Sequence, residues 1–340
     1  MAVWLLEGQS SQRDLLLALR DVLPPDVALY ASHRKHRPEI TDCADQSWQE
    51  PADDAERVAW VLDMAQQHAI KLVWACRRGD VYEAHRAAFD SLGIVLITGG
   101  LSSQDLLDLD YKDRFVQRCE AAGIAVAGGW VVQSGAEMAA IVAQHRDHPE
   151  PSYTLCVKPV RGIFGEGFWC LVDDLPLFRC FLTPDDRRVN TQQLIDSYGA
   201  QTNPQPMLVM PYLSGQEYSV DMVCEAGVVV AAVARYKRAD KTQVLMLEHD
   251  VIALATRVVA LFGCDGVINL QTKADQHGQH YVLEINARPS GGIGYTLHTG
   301  LNLAAICVLR RLGLPVPTPV LHSPVVVRPL TVSVAVSEPA

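Results

Sequence analysis

The stretch GVINLQTKADQHGQHYVLEINARPS, residues 266–290, has the alternation expected of two β-strands joined by a turn. Residues two apart on a strand share a face. In YVLEINAR, one face is apolar and the other carries Glu284, Asn286 and Arg288. The second strand therefore presents a carboxylate, an amide and a guanidinium in a row.

The first strand of this hairpin adds two amide side chains. Asn269 and Gln271 alternate with apolar residues in VINLQ, so they share one face. If both apolar faces turn to the core, the opposite face collects oxygen ligands that suit Mg²⁺, with Arg288 as a bidentate donor to a phosphate. A solvated hairpin face is the alternative, because antiparallel sheets often have one.

A glycine-rich segment, VKPVRGIFGEGFW, occupies residues 157–169. Lys158 precedes Gly162, Gly165 and Gly167. Glycines allow a backbone turn to bring N–H groups close to an anion that the lysine also neutralises, so the pattern indicates a phosphate-binding loop. The same glycines could equally be the turn of a hairpin between two strands.

A third segment, LVMPYLSGQEYSVDM, spans residues 208–222, and its Glu217 could accept hydrogen bonds from a ribose diol. Farther on, Arg235 and Lys237 point the same way from one strand and could face a γ-phosphate or an acylphosphate. Equally, both side chains could lie at a solvent-exposed strand end without any ligand. Among the histidines, only His298 lies beside a glycine-rich loop of interest.

The N-terminal hundred residues alternate short apolar strands with amphipathic helices, which predicts a parallel sheet covered by helices. The first turn, EGQSSQRD, lacks the G-x-G-x-x-G pattern of a dinucleotide site. Helices are expected in residues 108–123 and, behind a capping box formed by Ser134 and Glu137, in the next segment. Residues 206–290 are expected to form two hairpins around one helix.

Composition restricts the class of partner. The 340 residues are 49% hydrophobic and 20% charged, with a formal net charge of −10. Acidic charge disfavours nucleic acid and anionic membranes as partners. The nine cysteines form no C-x-x-C pair and no zinc pattern, the N-terminus does not resemble a signal peptide, and no apolar run is long enough to cross a bilayer. We therefore expect a cytoplasmic protein with reduced thiols.

Taken in order, these motifs resemble the ATP-grasp superfamily: Lys112 in a helix, Lys158 before a glycine loop, the P-Y-L-x-G-x-E-Y-S-V-D segment and the final E-I-N-A-R-P-S-G-G. The resemblance spans roughly residues 105–310. The last block is most similar to the carbamoyl-phosphate-synthetase and carboxylate–amine ligase branches. A weaker likeness, in ASHRKHRP, is to ATP-grasp proteins of tellurium-resistance gene clusters.

The resemblance implies an α/β and α+β fold, with a pre-ATP-grasp domain of parallel-sheet type followed by a two-subdomain ATP-grasp fold. The implied segments are 1–105 (pre-ATP-grasp), 106–205 (glycine-rich lid), 206–315 (metal site) and 316–340 (proline-rich tail). ATP and one or two Mg²⁺ are the implied cofactors, and small-molecule carboxylates and amines are the implied substrates. An oligomer is possible on this basis.

Site roles carry over by position. The resemblance implies nucleotide contacts at Lys112, Lys158, Arg161, Gly162, Gly165, Gly167, Met210, Tyr212, Leu213 and Glu217; metal ligands at Gln271, Glu284 and Asn286; and catalytic roles for Arg288 and Arg235. Two positions depart from the family pattern: Pro211 stands where many members have an acidic hinge residue, and Gln271 replaces a carboxylate.

The implied activity is an ATP-dependent ligase that activates a carboxylate as an acylphosphate and joins it to an amine. Such chemistry needs positioning and charge neutralisation rather than a side-chain nucleophile. A small-molecule kinase that stops at the phosphorylated product and a non-catalytic nucleotide-binding regulator are the alternatives. The motifs of serine hydrolases, zincins and P-loop proteins are absent from the sequence.

Overall fold

The computed structural model describes residues 1–146, 148, 154–162 and 166–336. The chain forms two compact units. Unit 1 contains Met1–Leu109, Glu217–Thr272 and Glu284–Ala340, and unit 2 contains Asp110–Gln216 and Lys273–Leu283. The four-segment division predicted from the sequence stays a prediction.

The N-terminal part of unit 1 is a five-stranded parallel sheet in the order β3-β2-β1-β4-β5. Its strands are β1 (Ala2–Leu5), β2 (Ala28–His33), β3 (Gln46–Gln49), β4 (Ile70–Trp74) and β5 (Val95–Ile97), followed by the short β6 (Gly99–Gly100). Its helices are α1 (Ser11–Arg20), α2 (Pro38–Thr41), α3 (Asp54–Gln67), α4 (Gly79–Glu83), α5 (Arg86–Ser91) and α6 (Ser103–Asp110). The predicted parallel sheet is confirmed.

Unit 2 contains a second sheet, in the order β10-β9-β8-β11-β7. The strands are β7 (Trp130–Val132), β8 (Leu155–Pro159), β9 (Trp169–Val172), β10 (Arg188–Asn190) and β11 (Met207–Pro211). The helices are α7 (Lys112–Ala121), α8 (Gly135–His145), α9 (Arg179–Leu182) and α10 (Thr191–Gly199), with a 3₁₀ helix at Pro184–Asp186. Strands β8 and β9 pair antiparallel, as the alternative hairpin interpretation of the glycine segment expects.

The remaining strands form a third sheet, in the order β16-β15-β12-β13-β14-β17, with β6 paired to β15. They are β12 (Glu217–Glu225), β13 (Val228–Lys237), β14 (Gln243–Met246), β15 (Cys264–Ala274), β16 (His280–Asn286) and β17 (Val325–Val327). The helices are α11 (Asp250–Phe262) and α12 (Leu303–Arg311), with a 3₁₀ helix at Ile293–Thr299. Both predicted hairpins and the helix between them are confirmed.

One apolar core runs through unit 1. It joins Val3 and Leu5 of β1 to Val223 of β12, Val267 of β15 and Val308 of α12, all nearly or fully inaccessible to solvent. Apolar burial on this scale is the main stabilising term of a fold. The N-terminal sheet and the strands that carry the Glu284 row are therefore stabilised together.

The start of α8 agrees with the sequence prediction, whereas the helix predicted before it is divided in two. Ser134 accepts a hydrogen bond from the Glu137 N–H at the start of α8, which is half of the predicted capping box. The helix predicted across residues 108–123 is instead interrupted at Tyr111, whose extended backbone separates α6 from α7. As a result, Lys112 is the first residue of a helix rather than an interior one.

The described helices are all too short or too polar to cross a membrane. Each of the nine cysteines carries a free thiol.

At Gly99, β6 closely approaches Ala287, which follows β16. Its φ is +99°, and a Cβ added there would lie 2.1 Å from the Ala287 carbonyl oxygen. We expect Gly99→Ala to lower the free energy of unfolding by about 2–4 kcal/mol, because strained backbone and a steric clash add. Urea denaturation measures this.

Gly93→Ala is the matched control, since Gly93 also has positive φ (+65°) but has open space around its Cβ position. Its expected cost is about 1 kcal/mol, the backbone term alone. Equal losses in the two variants would contradict the close approach at Ala287.

Candidate functional site

The polar row on β16 is formed as the sequence predicts. The Asn286 Nδ2 lies 3.5 Å from Glu284 Oε1, and Arg288 Nη2 donates to Asn286 Oδ1 at 3.2 Å. All three side chains are half-buried. A carboxylate, an amide and a guanidinium therefore stand side by side, each partly exposed to solvent.

The neighbouring strand, β15, contributes Gln271 and Asn269 in different ways. Gln271 is half-buried, whereas Asn269 is only 2% exposed. The Asn269 Nδ2 donates to Ser219 Oγ at 2.8 Å and to Asp221 Oδ1 at 2.9 Å. Asn269 is thus held by β12, and its amide nitrogen supports Asp221.

Arg235 anchors a buried polar network beneath this region. Its Nε donates to Asp221 Oδ2 at 2.9 Å, Nη1 to Gln243 Oε1 at 2.9 Å, and Nη2 to Ser290 Oγ at 3.1 Å. The Asp221 side chain is fully buried and that of Arg235 is 14% exposed. All three guanidinium nitrogens of Arg235 are consequently engaged by protein groups.

The loop after Arg288 depends on that guanidinium. The Ser290 hydroxyl accepts from Gly292 N–H at 3.1 Å as well as from Arg235. A Cβ on Gly292 would lie 2.8 Å from Arg235 Cζ, so a larger residue would displace the arginine. The Ser-Gly-Gly sequence therefore fits the loop around Arg235.

Sequence reasoning missed Asp221, Gln243 and Ser290. The available signal was the alternation Glu217-x-Ser219-x-Asp221, which puts Asp221 on the same strand face as the residues chosen for ligand binding. The catalytic role of Arg235 stays a prediction. Its structural role is to hold Asp221, Gln243 and Ser290 in the network. Its predicted neighbour Lys237 is exposed at the end of β13, and His298 is exposed in its 3₁₀ helix.

In unit 2, Lys112 reaches the glycine segment. Its Nζ donates to the Gly162 carbonyl oxygen at 3.1 Å, and the residue is 9% exposed. A helix lysine would ordinarily be solvated, so this burial sets Lys112 apart. Arg161 stacks over the Tyr111 ring at 5.0 Å from its centroid and is exposed.

The rest of the glycine segment is partly described. Lys158 is half-buried on β8, opposite Leu208 of β11. Gly167 has φ +68°, and a Cβ there would lie 2.8 Å from Pro159 Cγ, so both conformation and space require glycine. Gly162 has room for a Cβ, with its nearest neighbour 3.7 Å away, and Gly165 lies outside the described residues.

Beside β8 and β11 lies an apolar cluster that contains the predicted adenine contacts. Its members are Ala127, Cys156, Val160, Leu208 and Met210, with Phe168, Cys170, Tyr212, Leu213, Tyr281 and Leu283 packed against them. The Tyr212 N–H is donated to the Thr154 carbonyl oxygen at 2.7 Å. Lys273, which sequence reasoning missed, stands over the Tyr212 ring at 4.5 Å.

The apolar cluster includes the buried thiol of Cys156. Burial raises the pKa of Cys156 to about 12, so the sulfur is protonated near neutral pH. Cys156 acts as a small apolar side chain in the cluster. Glu217, the predicted ribose contact, is exposed at the start of β12 in unit 1.

The fold matches known structures over nearly the whole chain. An N5-carboxyaminoimidazole synthase from Aspergillus clavatus, in complex with ADP and 5-aminoimidazole ribonucleotide, has a TM-score of 0.66 at 17% identity, covering 93% of this chain and 78% of that one. The biotin carboxylase domain of Hydrogenobacter thermophilus 2-oxoglutarate carboxylase, with MgADP and bicarbonate, has 0.65 at 14%, covering 92% and 69%. An L-amino acid ligase from Bacillus licheniformis has 0.61 at 15%, covering 95% and 74%.

These structures define the class: the chain has the ATP-grasp fold, and the predicted fold and superfamily resemblance are confirmed. More particularly, residues 203–333 match the family described as ATP-grasp in the biosynthetic pathway with Ter operon. A comparison with curated protein sequences gives no match. At 14–17% sequence identity, these structures establish the fold alone.

The Arg235 network yields a stability prediction. Asp221→Asn should lower the free energy of unfolding by about 3 kcal/mol or more, because it leaves a largely buried guanidinium without its anionic partner. Equilibrium urea denaturation gives the value.

Glu225→Gln provides the control, because its partner Arg310 is 46% exposed and the pair lies at the surface. Its expected cost is about 0–1 kcal/mol. A loss from Asp221→Asn no larger than from Glu225→Gln would contradict the assigned importance of the buried pair.

Proposed function

We propose that this protein is an ATP-dependent ligase that phosphorylates a carboxylate and joins the activated acyl group to an amine or similar nucleophile. The observation that carries the proposal is the Glu284–Asn286–Arg288 row, in which Asn286 contacts both the Glu284 carboxylate, at 3.5 Å, and the Arg288 guanidinium, at 3.2 Å. This brings side chains suited to a metal and to a phosphate next to each other. Phosphoryl transfer needs this combination more than it needs a side-chain nucleophile.

The donor set offers one carboxylate and two amides. Glu284 supplies one carboxylate, and Asn286 and Gln271 supply neutral amide oxygens from half-buried positions. The described residues contain no group of three or more His, Cys, Asp or Glu side chains that could hold a metal ion. Hard oxygen donors with one carboxylate fit Mg²⁺, which usually completes its shell with water and phosphate oxygens.

On this proposal, Glu284, Asn286 and Gln271 would hold the ion, which when bound would neutralise charge on the phosphates. Arg288 orients the transferred phosphoryl group as a bidentate donor. Arg235 holds the Ser290–Gly292 loop that follows Arg288, so it acts partly by positioning.

The nucleotide assignment rests on unit 2. Lys112 and Lys158 would neutralise phosphate charge, with Arg161 beside them, and Gly162, Gly165 and Gly167 would form the loop over the phosphates. Support comes from the buried Lys112 Nζ, which already contacts the Gly162 carbonyl. Met210, Tyr212 and Leu213 would contact adenine from the apolar cluster, and Glu217 would bind the ribose.

The proposed reaction has two balanced steps. A substrate carboxylate oxygen attacks the γ-phosphorus, the bond to the β–γ bridging oxygen breaks, and ADP leaves. The amine then attacks the acyl carbon, the acyl C–O bond breaks, inorganic phosphate leaves, and the amine loses a proton. Burial of the site favours this path because it excludes water, which would hydrolyse the acylphosphate. Cations already held in place favour it because they need no reorganisation in the transition state.

The test of this function is trapping with hydroxylamine. With Mg·ATP and a screened set of carboxylates, but without an amine, an acylphosphate gives a hydroxamate together with ADP. A stable phosphorylated product would instead show a kinase, and saturable ATP binding without any turnover would show a regulatory protein.

Lys158→Ala should weaken ATP binding by about tenfold or more, since it removes a charge-assisted contact from a partly desolvated phosphate. Calorimetry measures the affinity. Lys71→Ala, which changes an exposed lysine on β4, is the control and should leave it unchanged. Wild-type affinity in a folded Lys158→Ala protein would remove Lys158 from the site.

Glu284→Gln should abolish ADP formation and weaken metal binding, because it removes the only carboxylate of the proposed ligand set while keeping its shape. Mn²⁺ titration followed by electron paramagnetic resonance reports binding without turnover. Asn286→Asp is the paired variant and should preserve or strengthen Mn²⁺ binding by adding an anionic oxygen. If Glu284→Gln binds Mn²⁺ as the wild type does, the metal site lies elsewhere.

A further inference from the structure

One connection in unit 2 turns its apolar side chains away from the core. Strands β9 and β10 pair in parallel, and residues 173–187 join them through α9. A connection between parallel strands usually contains a helix that buries its apolar face on the sheet. Within this fully described connection, only Cys180 is buried, in the apolar core of unit 2.

Four large apolar side chains of the connection face solvent instead. Leu177 is 60% exposed, and Phe178, Phe181 and Leu182 are each 65% exposed. Members of this set are three or four residues apart, the spacing at which side chains on a helical turn are neighbours. The Phe178 and Phe181 rings lie 5.4 Å apart, centroid to centroid. The four side chains therefore form one surface, which we call the α9 patch.

The backbone around the α9 patch is held by hydrogen bonds. Asn190 Nδ2 donates to the carbonyl oxygens of Asp173, at 2.9 Å, and Leu175, at 3.0 Å. The Arg179 N–H donates to the Pro176 carbonyl oxygen at 2.8 Å. A surface that is already ordered loses less conformational entropy when it binds a partner. The patch is therefore prepared for an interface.

The α9 patch is large for a surface that remains uncovered. With about 200 Å² of accessible area for each large side chain, its four members expose roughly 500 Å². The largest patch on a typical monomer is about 300–600 Å² and is often functional. A standard interface takes about 800 Å² from each partner. The patch is thus large enough to form the apolar centre of an interface, which also needs a polar rim.

Charged residues of both signs flank the α9 patch. The 3₁₀ helix at Pro184–Asp186 packs against α9. The exposed charges of this stretch are Asp174, Arg179, Asp185, Asp186, Arg187 and Arg188, together with Asp173, which pairs with Arg146 at 3.9 Å. Apart from that pair, the rim has three aspartates and three arginines, whereas the whole chain has a net charge of −10. The negative charge of the protein is therefore balanced at this place.

A balanced rim favours one kind of occupant. In a two-fold-symmetric dimer the same surface meets itself, so its rim must contain both signs of charge to be complementary. A strongly acidic or strongly basic partner would find no net charge to attract it. An anionic membrane would attract the arginines but repel the aspartates.

We propose that the α9 patch is the centre of a two-fold-symmetric interface with a second copy of this chain. Aromatic side chains near the centre of an interface contribute most of its binding free energy, so Phe178 and Phe181 are the expected anchors. The proposal does not rest on the ligase function, because none of the patch or rim residues belongs to the proposed nucleotide or metal site.

The oligomeric state of the full chain, measured without nucleotide, tests the proposal. Sedimentation equilibrium over a range of protein concentrations should show a reversible dimer. Phe181→Glu should weaken dimerisation by about a hundredfold or more, because each copy loses an aromatic anchor and gains a like charge at the centre. Phe178→Glu should weaken it in the same direction.

Two further measurements make the result specific to this surface. Val228→Glu adds the same charge at an apolar residue of unit 1 that is 64% exposed, and it should leave the dimer dissociation constant unchanged. Circular dichroism reports whether each variant is folded. Hydrogen exchange of the wild type needs no variant: the amides of residues 175–188 should exchange more slowly at concentrations at which the dimer forms.

Three outcomes would overturn the proposal. The first is a wild-type protein that stays monomeric at every concentration, including one that instead binds phosphatidylcholine vesicles through the α9 patch. The second is a folded Phe181→Glu protein that dimerises as the wild type does. The third is a wild-type dimer in which the exchange of residues 175–188 does not change.

Discussion

The hydrogen-bonded ion pair of Arg235 and Asp221 is the interaction on which the rest of the site depends. Asp221 on β12 receives Arg235 from β13 and Asn269 from β15, and Arg235 extends the network to Gln243 on β14. Through Ser290 it also holds the loop that follows Arg288. An ion pair buried this fully is costly to desolvate, and its value here is that it fixes four strands and a loop in one arrangement.

Unit 1 is built on one apolar core. The core joins β1 to the strands that carry the polar network, so the N-terminal sheet and the Glu284 row cannot be stabilised separately. Because a protein core is closely packed, a steric clash in one part strains the parts packed against it. This explains why glycine is required at Gly99, where β6 meets Ala287, and at Gly292, where the loop meets Arg235.

Strand alternation was sufficient to predict the row of Glu284, Asn286 and Arg288, because a period of two fixes which side chains share a face. It could not predict that Asn269 turns to Asp221 or that Arg235 is bound on three nitrogens, since these depend on which strands become neighbours. Lys112 shows the same limit: the sequence placed it on a helix, but only the fold brings its Nζ to Gly162.

The proposed function requires the chain to bind Mg·ATP through oxygen ligands and cations. Its most direct measurement is a calorimetric titration of wild-type protein with a non-hydrolysable ATP analogue, performed with Mg²⁺ and again with the metal chelated. We expect one nucleotide to bind per chain, with an affinity that becomes much weaker without Mg²⁺. Absence of saturable binding, or an affinity that does not change when Mg²⁺ is removed, would contradict it.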